Sequence, residues 1–336
     1  MSITGAIRLP QDQYLHTDAA NEWWWHIGTL TSGDRVFGFE INAAKRQFAG
    51  QNVLFSEIML TDVANQIHYQ ATTLFSYTED WAQSDQSQTW QVTLGAAGGN
   101  GAVSMMAPST DVGAMTIEAS FTDSQTNTEI AFALQMQQQG QPLLVWGTGV
   151  SPGTGPIDPT NRNFYYSFTG LACSGTVSIG DVAIAVEGTT WMDHEYGKFP
   201  DSTNWILQDA QLDNGVHLSS FAANTPPHKD VPMPSNVTVL GTDGNSTYYT
   251  NCTITPRAPE WTSPEGVTYC TVMEVDIPDL DGLLTFTSSM PDQEFRSNYA
   301  PVYEGVATVS GNLWGEEVQG PAWIEQALGK LALGRF

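Results

Sequence analysis

The sequence predicts an all-β protein made of two tandem antiparallel β-barrels. Three observations predict it: helical periodicity is nearly absent, short segments rich in β-branched and aromatic residues recur about every ten residues, and one residue pattern occurs twice. Turn sequences such as Asp213-Asn-Gly215 separate the segments, and Asp-Asn-Gly is typical of hairpins. Only residues 322–333 have the Ala, Leu and Lys content of a helix, so a short C-terminal helix is expected.

The repeated pattern divides the chain into two halves. Four positions recur at a constant offset (205 − 23 = 182): Trp23 with Trp205, Leu30 with Leu212, Gly33 with Gly215 and Phe39 with Phe221. Residues 186–197 also align without gaps with residues 318–329 (318 − 186 = 132). Each half therefore begins and ends alike, and the predicted domains are residues 1–200 and 201–336.

Closed barrels are predicted in preference to open sandwiches. Closure leaves no unpaired strand edge and encloses an interior that can hold one small ligand. Two sandwiches with the same number of strands would give a similar sequence pattern. The length of 336 residues is sufficient for two domains, each with its own core.

Charge and composition exclude several classes of partner. The chain has 36 Asp and Glu against 11 Lys and Arg, a formal charge of −25, so neither nucleic acid nor an anionic lipid surface is an expected partner. Stable insertion into a membrane is not expected either. Residues 1–18 show no apolar signal sequence and no later stretch has the roughly 18 apolar residues of a membrane span, so a cytoplasmic protein is expected, as a monomer or homodimer.

The spacing of the three cysteines and the absence of several catalytic motifs disfavour further classes of site and enzyme. Cys173, Cys252 and Cys270 have no CxxC spacing; Cys252 and Cys270 could pair in an oxidising compartment, but buried free thiols are expected. The sequence contains no nucleophile elbow, Walker loop, HExxH motif or dinucleotide-binding loop, which disfavours the corresponding enzyme classes. Any chemistry must use scattered acids, His, Tyr and Trp.

A first group of candidate residues lies on the strand expected at residues 21–26. Side chains alternate along a strand, so Glu22, Trp24 and His26 share one face. If this face lines a barrel, burial would raise the pKa of Glu22 and make it a proton donor, and Trp24 would offer a π surface to a developing cation. Alternatively the tryptophans are structural and Glu22 binds a backbone amide or an arginine.

A second group lies at residues 191–197. Trp191, Asp193 and Glu195 share one face, and His194 lies on the other. Two buried acids on one face repel each other, so one would keep its proton and the pair could supply an acid and a base. The alternative is a solvated or domain-junction strand on which Asp193 binds the backbone. No metal site is expected, because adjacent strand residues point apart.

The second half of the chain differs at this motif. Glu325 corresponds to Asp193, but Gln326 replaces His194 and Ala327 replaces Glu195 (offset 132). This asymmetry predicts that the first motif has a function that the second lacks. Other polar residues on expected strands could orient a hydrophobic ligand, although each is also compatible with a purely structural role: His68, Tyr165, Tyr166, Gln208 and Gln211.

Together these motifs resemble a known family, the lipocalin-like carotenoid 1,2-hydratase (hydroxyneurosporene synthase) and AttH-type proteins, which are related to fungal Diels–Alderases. The resemblance spans nearly the whole chain and is carried by these motifs: Glu22-Trp-Trp-Trp followed by Gly28-Thr-Leu30 and Phe37-Gly-Phe39, then Tyr165-Tyr-Ser167, Trp191-Met-Asp-His-Glu-Tyr-Gly197 and Gly320-Pro-Ala-Trp-Ile-Glu-Gln326. It implies two calycin-type barrels and cofactor-independent chemistry, either hydration of double bonds or pericyclic ring closure of natural products. The third Trp at Trp25, and Tyr196 where Trp is common, depart from the family.

The expected function is therefore that of an enzyme without cofactor or metal that acts on a hydrophobic unsaturated molecule, in the first barrel or between the domains. For hydration, Asp193, or next Glu22, would protonate an alkene, Trp24 would stabilise the cation and Glu195 would direct water; His194 completes the catalytic candidates. A pericyclase, in which donors such as Tyr166, His68 or Gln208 bind a carbonyl, and a lipocalin-like hydrophobic-ligand binder are the alternatives.

Overall fold

The computed structural model describes residues 6–48, 50–199, 204–223, 227–296 and 301–328. Contacts within the chain define two units. The first comprises Met1–Ala64 and Tyr69–Phe199, and the second comprises Asn65–His68 and Pro200–Phe336. Each unit contains one large antiparallel sheet, so the prediction of an all-β protein with two barrel-like sheets is confirmed.

The first unit contains an 11-stranded sheet. Its strands are β1 (Asn21–Ser32), β2 (Arg35–Phe48), β3 (Gln51–Asp62), β4 (Ile67–Ser76), β5 (Trp90–Leu94), β6 (Ala102–Ala107), β7 (Ala114–Thr122), β8 (Glu129–Gln138), β9 (Leu143–Leu144), β10 (Asn163–Ile179) and β11 (Val182–Gly197). Their order is β4-β3-β2-β1-β11-β10-β8-β7-β6-β5, with β9 paired to β10. Short 3₁₀ turns lie at Gln11–Gln13 and Val145–Gly147.

The second unit contains a nine-stranded sheet in the order β17-β16-β15-β14-β13-β12-β20-β19-β18. The strands are β12 (Trp205–Gln211), β13 (His217–Ala223), β14 (Met233–Leu240), β15 (Ser246–Thr262), β16 (Thr268–Ile277), β17 (Gly282–Ser288), β18 (Glu294–Phe295), β19 (Val302–Leu313) and β20 (Glu316–Ala327). A 3₁₀ turn lies at Pro278–Leu280. Because β17 also pairs with β19, this sheet closes on itself around an apolar core that includes Phe286 and Leu218.

The internal repeat is visible in the strand pairing. In the first unit β1 pairs with β2 and with β11, and in the second β12 pairs with β13 and with β20. Trp23 lies opposite Glu195, and its equivalent Trp205 lies opposite Ala327. The two offsets seen in the sequence therefore describe one register that occurs twice, which confirms the duplication.

Equivalent glycines mark the same close approach in both units. A Cβ atom on Gly188 would lie 2.2 Å from the carbonyl oxygen of Thr29, and one on Gly320 would lie 1.9 Å from that of Gln211. Real Cβ atoms do not approach an oxygen so closely, so any larger residue would push the two strands apart.

The prediction of a C-terminal helix is wrong for the first half of the segment, residues 322–327. Residues 322–327 end β20 and pair with β12 and β19. Trp323 and Ile324 are buried there, because pairing on both sides and burial of these side chains outweigh the helix propensity of Ala and Leu. Residues 329–333 lie outside the described residues.

Two further expectations are settled by the fold. Cys173, Cys252 and Cys270 are free and buried, as expected. In the ranges that the structure describes, none of the helices reaches the length and apolar character that a membrane span requires.

Candidate active site

The candidate residues lie on two opposite faces of the paired strands β1 and β11. Trp24 lies opposite His194, and Trp25 lies opposite Asp193. Because side chains alternate along a strand, the two pairs point to opposite sides of the sheet. We call the side of Trp24 and His194 the inner face and the side of Trp25 and Asp193 the outer face. The alternation predicted from the sequence is confirmed, with Glu22 on the inner face.

On the inner face a buried carboxylate lies between two imidazoles. Glu22 Oε1 is 2.8 Å from His16 Nδ1 and 3.1 Å from His194 Nε2, and the side chains of Glu22 and His194 are fully buried. The backbone N–H of His16 donates to both carboxylate oxygens, at 3.2 and 3.0 Å. Glu22 therefore joins the segment before β1 to β11.

Aromatic side chains fix the orientation of His194. Its ring stacks on Trp24 with a centroid distance of 4.6 Å, and its Nδ1 is 3.1 Å from the hydroxyl of Tyr166. The Tyr166 hydroxyl donates in turn to the side chain of Gln13. Tyr166, which the sequence offered as a substrate-binding residue, is thus fully buried within this hydrogen-bonded cluster.

The electrostatics of Glu22 differ from the expectation. Burial raises the pKa of this carboxyl, but the hydrogen bonds and positive charge of His16 and His194 outweigh burial, and the pKa is lowered. Burial alone would lower the pKa of His16, yet its hydrogen bonds to Asp12 and Glu22 raise it to about 9. The predicted raised pKa of Glu22 is wrong, because two imidazoles flank this carboxyl. No local pattern in the chain indicates that these imidazoles lie beside Glu22.

His26 is an unsatisfied polar residue on the same inner face. It is fully buried, and neither ring nitrogen has a hydrogen-bond partner among the described residues. Burial lowers its pKa to about 3. His26 is therefore a neutral imidazole in apolar surroundings, an arrangement that costs stability.

On the outer face Asp193 is buried and receives two short hydrogen bonds on one oxygen. Ser167 Oγ donates to Oδ1 at 2.5 Å, and Trp191 Nε1 donates to the same atom at 2.7 Å. Burial raises the pKa of Asp193 to about 6, although the hydrogen bonds from Ser167, Trp191 and Tyr165 oppose the shift. Tyr165 therefore belongs to this cluster.

Across the strand pair, the tryptophan that lies opposite Asp193 is Trp25 and not Trp24. Trp25 lies directly opposite Asp193, and Trp23 lies opposite Glu195 in the next row of the same face. The rings of Trp23 and Trp25 meet edge to face at 6.5 Å, and Trp23 stacks on Phe199 at 4.5 Å. Trp24 points away from these residues, so the structure does not bring it together with Asp193.

Several polar residues of the outer face were not found from the sequence. Asn42 lies opposite Trp25 on β2 and donates from Nδ2 to Glu40 Oε1 at 3.2 Å, and both residues are fully buried. The alternation of β2 indicates them, because the neighbouring large apolar residues Phe39 and Ile41 point to the opposite side. Asn163 donates to the carboxylate of Glu195 and orients it.

The remaining candidates lie elsewhere on the two sheets. His68 is half-buried on β4. Gln208 and Gln211 lie in the second unit on opposite faces of β12; Gln208 is fully buried and accepts a 2.7 Å hydrogen bond from Ser220.

Comparison with known proteins decides the family. The model of the AttH-like family matches residues 3–327. The chain belongs to the AttH-like family. This membership confirms the resemblance that the sequence motifs carried. No curated protein matches the chain significantly.

Solved structures share the fold of this AttH-like chain. The AttH-type protein of Nitrosomonas europaea is 21% identical with a TM-score of 0.76, over 96% of this chain and 97% of that one. Kievitone hydratase of Nectria haematococca is 16% identical with a TM-score of 0.73, over 98% and 96%. CghA is 12% identical with a TM-score of 0.52, over 95% and 90%. At these identities the likeness establishes the shared architecture.

Proposed function

We propose that this AttH-like protein is a hydratase that adds water across a carbon–carbon double bond of a hydrophobic small molecule. The observation that carries the proposal is the outer-face cluster, in which the buried carboxyl of Asp193 lies beside Trp25 and next to Glu195. An acid, an aromatic surface and a second acid on one face are the groups that alkene hydration requires.

The geometry supports one order of events. The Asp193 carboxyl gives its proton to one alkene carbon, and Ser167 and Trp191 stabilise the carboxylate that forms through their hydrogen bonds to Oδ1. The positive charge on the other carbon is stabilised by the π face of Trp25. Water forms the new C–O bond as Glu195 accepts its proton, which returns to Asp193 through solvent.

Two independent findings support the class of reaction. Kievitone hydratase shares the fold over nearly its whole length, and its name states a hydration. In the outer-face cluster the acid also lies opposite an indole, whose π face can stabilise a cationic intermediate. The partner we propose is accordingly a hydrophobic, unsaturated small molecule, and the proposed steps use only side chains of this chain and water.

The reaction class can be tested by isotope labelling. The protein is incubated with kievitone and with prenylated or polyene probes in H₂¹⁸O, and the products are analysed by mass spectrometry. A product heavier by one labelled water supports the hydratase. An unlabelled isomer would show a pericyclase instead, and probes that bind and return unchanged would show a carrier.

A further inference from the structure

We propose that His16, Glu22 and His194 bind one divalent transition-metal ion inside the first barrel. The three donor atoms are His16 Nδ1, Glu22 Oε1 and His194 Nε2, which lie within 4.8 Å of one another. Two imidazole nitrogens and one carboxylate oxygen form a donor set that binds Zn²⁺, Fe²⁺ and related ions. This site lies on the inner face, so it is separate from the proposed hydration at Asp193.

The two donor spacings that involve Glu22 fit a shared ion. Two ligand atoms about 2.1 Å from one metal are about 3.0 Å apart at the right angles of an octahedral site and about 3.4 Å apart at tetrahedral angles. The distances from Glu22 Oε1 to His16 Nδ1 and to His194 Nε2 are 2.8 and 3.1 Å, on either side of the octahedral value and slightly below the tetrahedral one. Glu22 Oε1 thus already stands at the distance from each imidazole that neighbouring ligands of one ion have.

The surrounding contacts resemble those that orient metal ligands. Ligating histidines commonly bond their second ring nitrogen to a carboxylate or another polar group. Here His16 Nε2 is 3.4 Å from Asp12 Oδ1, and His194 Nδ1 is 3.1 Å from the Tyr166 hydroxyl. The His16 amide holds Glu22 Oε2 at 3.0 Å, so Oε1 is directed toward the imidazoles. The carboxylates of Asp12 and Glu22 together match the charge of a divalent ion.

Stacking restricts both imidazole rings. His16 stacks on Tyr196 with a centroid distance of 3.6 Å and an interplanar angle of 6°, and His194 stacks on Trp24. Rings that are held in place lose little freedom on binding an ion, which favours affinity.

The second barrel shows that the fold does not require an acid and an imidazole at the positions of Glu22 and His194. By the two offsets, Asn204 corresponds to Glu22 and Gln326 corresponds to His194. Gln326 is fully buried and bonds both backbone groups of Cys270, at 2.9 and 3.3 Å. The neutral amide of Gln326 therefore satisfies the hydrogen bonds at the position equivalent to His194, without an acid or an imidazole. The first barrel has instead two imidazoles and an acid, a more costly choice in a buried site unless they bind something.

The ion would tie the segment before β1 to the barrel. His16 lies just after the 3₁₀ turn Gln11–Gln13, whereas Glu22 and His194 lie on β1 and β11. The sequence predicted no metal because Asp193, His194 and Glu195 point apart. The proposed site takes only His194 from that motif, and its other ligands come from elsewhere in the chain.

The test is metal titration of the chelator-treated full chain. Zn²⁺ and Co²⁺ are titrated by calorimetry, and Co²⁺ also by its visible absorption. We expect one ion per chain and a metal-dependent rise in Tm for the wild type. His228→Gln, which alters an exposed histidine, should behave like the wild type. His194→Gln, which copies the second barrel, should bind about 100-fold more weakly or worse and show no rise in Tm.

Two results would overturn the proposal. One is substoichiometric uptake of both ions by the folded wild type, which would leave a proton-bridged cluster of His16, Glu22 and His194. The other is His194→Gln binding with wild-type affinity. If His194→Gln fails to fold, X-ray absorption of the Co²⁺-loaded wild type decides, because the site requires two imidazole ligands. The hydration assay at Asp193 is independent of all these outcomes.

Discussion

The pKa values of two buried acids are shifted in opposite directions on the inner and outer faces of β1 and β11. Glu22 on the inner face has a lowered pKa, whereas that of Asp193 on the outer face is raised to about 6. Both carboxyls are buried and hydrogen-bonded, so burial alone does not separate them. The difference is the pair of imidazoles beside Glu22, because positive charge stabilises the ionised form while hydroxyl and indole donors do so only partly. One strand pair thus holds an ion cluster and the acid that we propose as the proton donor.

The largest expected effect tests the outer face. Asp193→Asn keeps the shape of the side chain and removes its transferable proton, so we expect hydration to fall by about 10²- to 10⁴-fold. Product formation in H₂¹⁸O measures it. Glu325→Gln, the equivalent change in the second barrel, is the control and should retain activity. A folded Asp193→Asn protein with full turnover would remove Asp193 from the mechanism.

The next effect tests the inner face through stability. Glu22→Gln leaves His16 and His194 without their carboxylate, and breaking a buried pair in this way costs about 3 kcal/mol in the free energy of unfolding. Urea denaturation of the apoprotein measures the loss. Asp193→Asn should cost clearly less, since no cationic side chain among the described residues pairs with Asp193. Equal losses for the two variants would contradict the contrast between the faces.

The unpaired imidazole on the inner face predicts a pH dependence. The pKa of His26 is about 3 in the folded chain and 6.5 ordinarily, so the unfolded state binds the proton first and stability falls as pH drops below 6.5. At pH 5 this amounts to roughly 2 kcal/mol. His26→Leu should lack this contribution, so its stability relative to the wild type should increase between pH 7 and pH 5. A constant difference across this range would show that His26 is protonated or solvated in the fold.

The smallest expected effect tests the hydrogen-bond donors to Asp193 on the outer face. Ser167→Ala removes one of the two hydrogen bonds to Asp193 Oδ1. A hydrogen bond to a charged group contributes about 1.5 kcal/mol or more, so hydration should slow by roughly tenfold with little change in Tm. Ser220→Ala, which removes a buried hydroxyl from the second unit, is the matched control. Unchanged kinetics of Ser167→Ala would mean that Asp193 is stabilised by its other donors alone.

Much of the fold and part of the site can be predicted from the sequence. The alternation of side chains along a strand is a local property, so the order of residues alone places Asp193 and Glu195 on one face and His194 on the other. The duplication can also be predicted from the sequence, because both halves have the same residues at fixed offsets. Residues 322–327 are the exception, since their composition favours a helix and only pairing with β12 and β19 makes them a strand.

The sequence by itself determined two β-rich halves, the face that each residue of β1 and β11 shares with its strand neighbours, and the acids available to act. The tertiary structure alone decided that Trp25 accompanies Asp193 and that His16 meets Glu22 and His194. The reason is register: β1 and β11 are far apart in the chain, and a shift of one residue in their pairing would exchange the faces that meet.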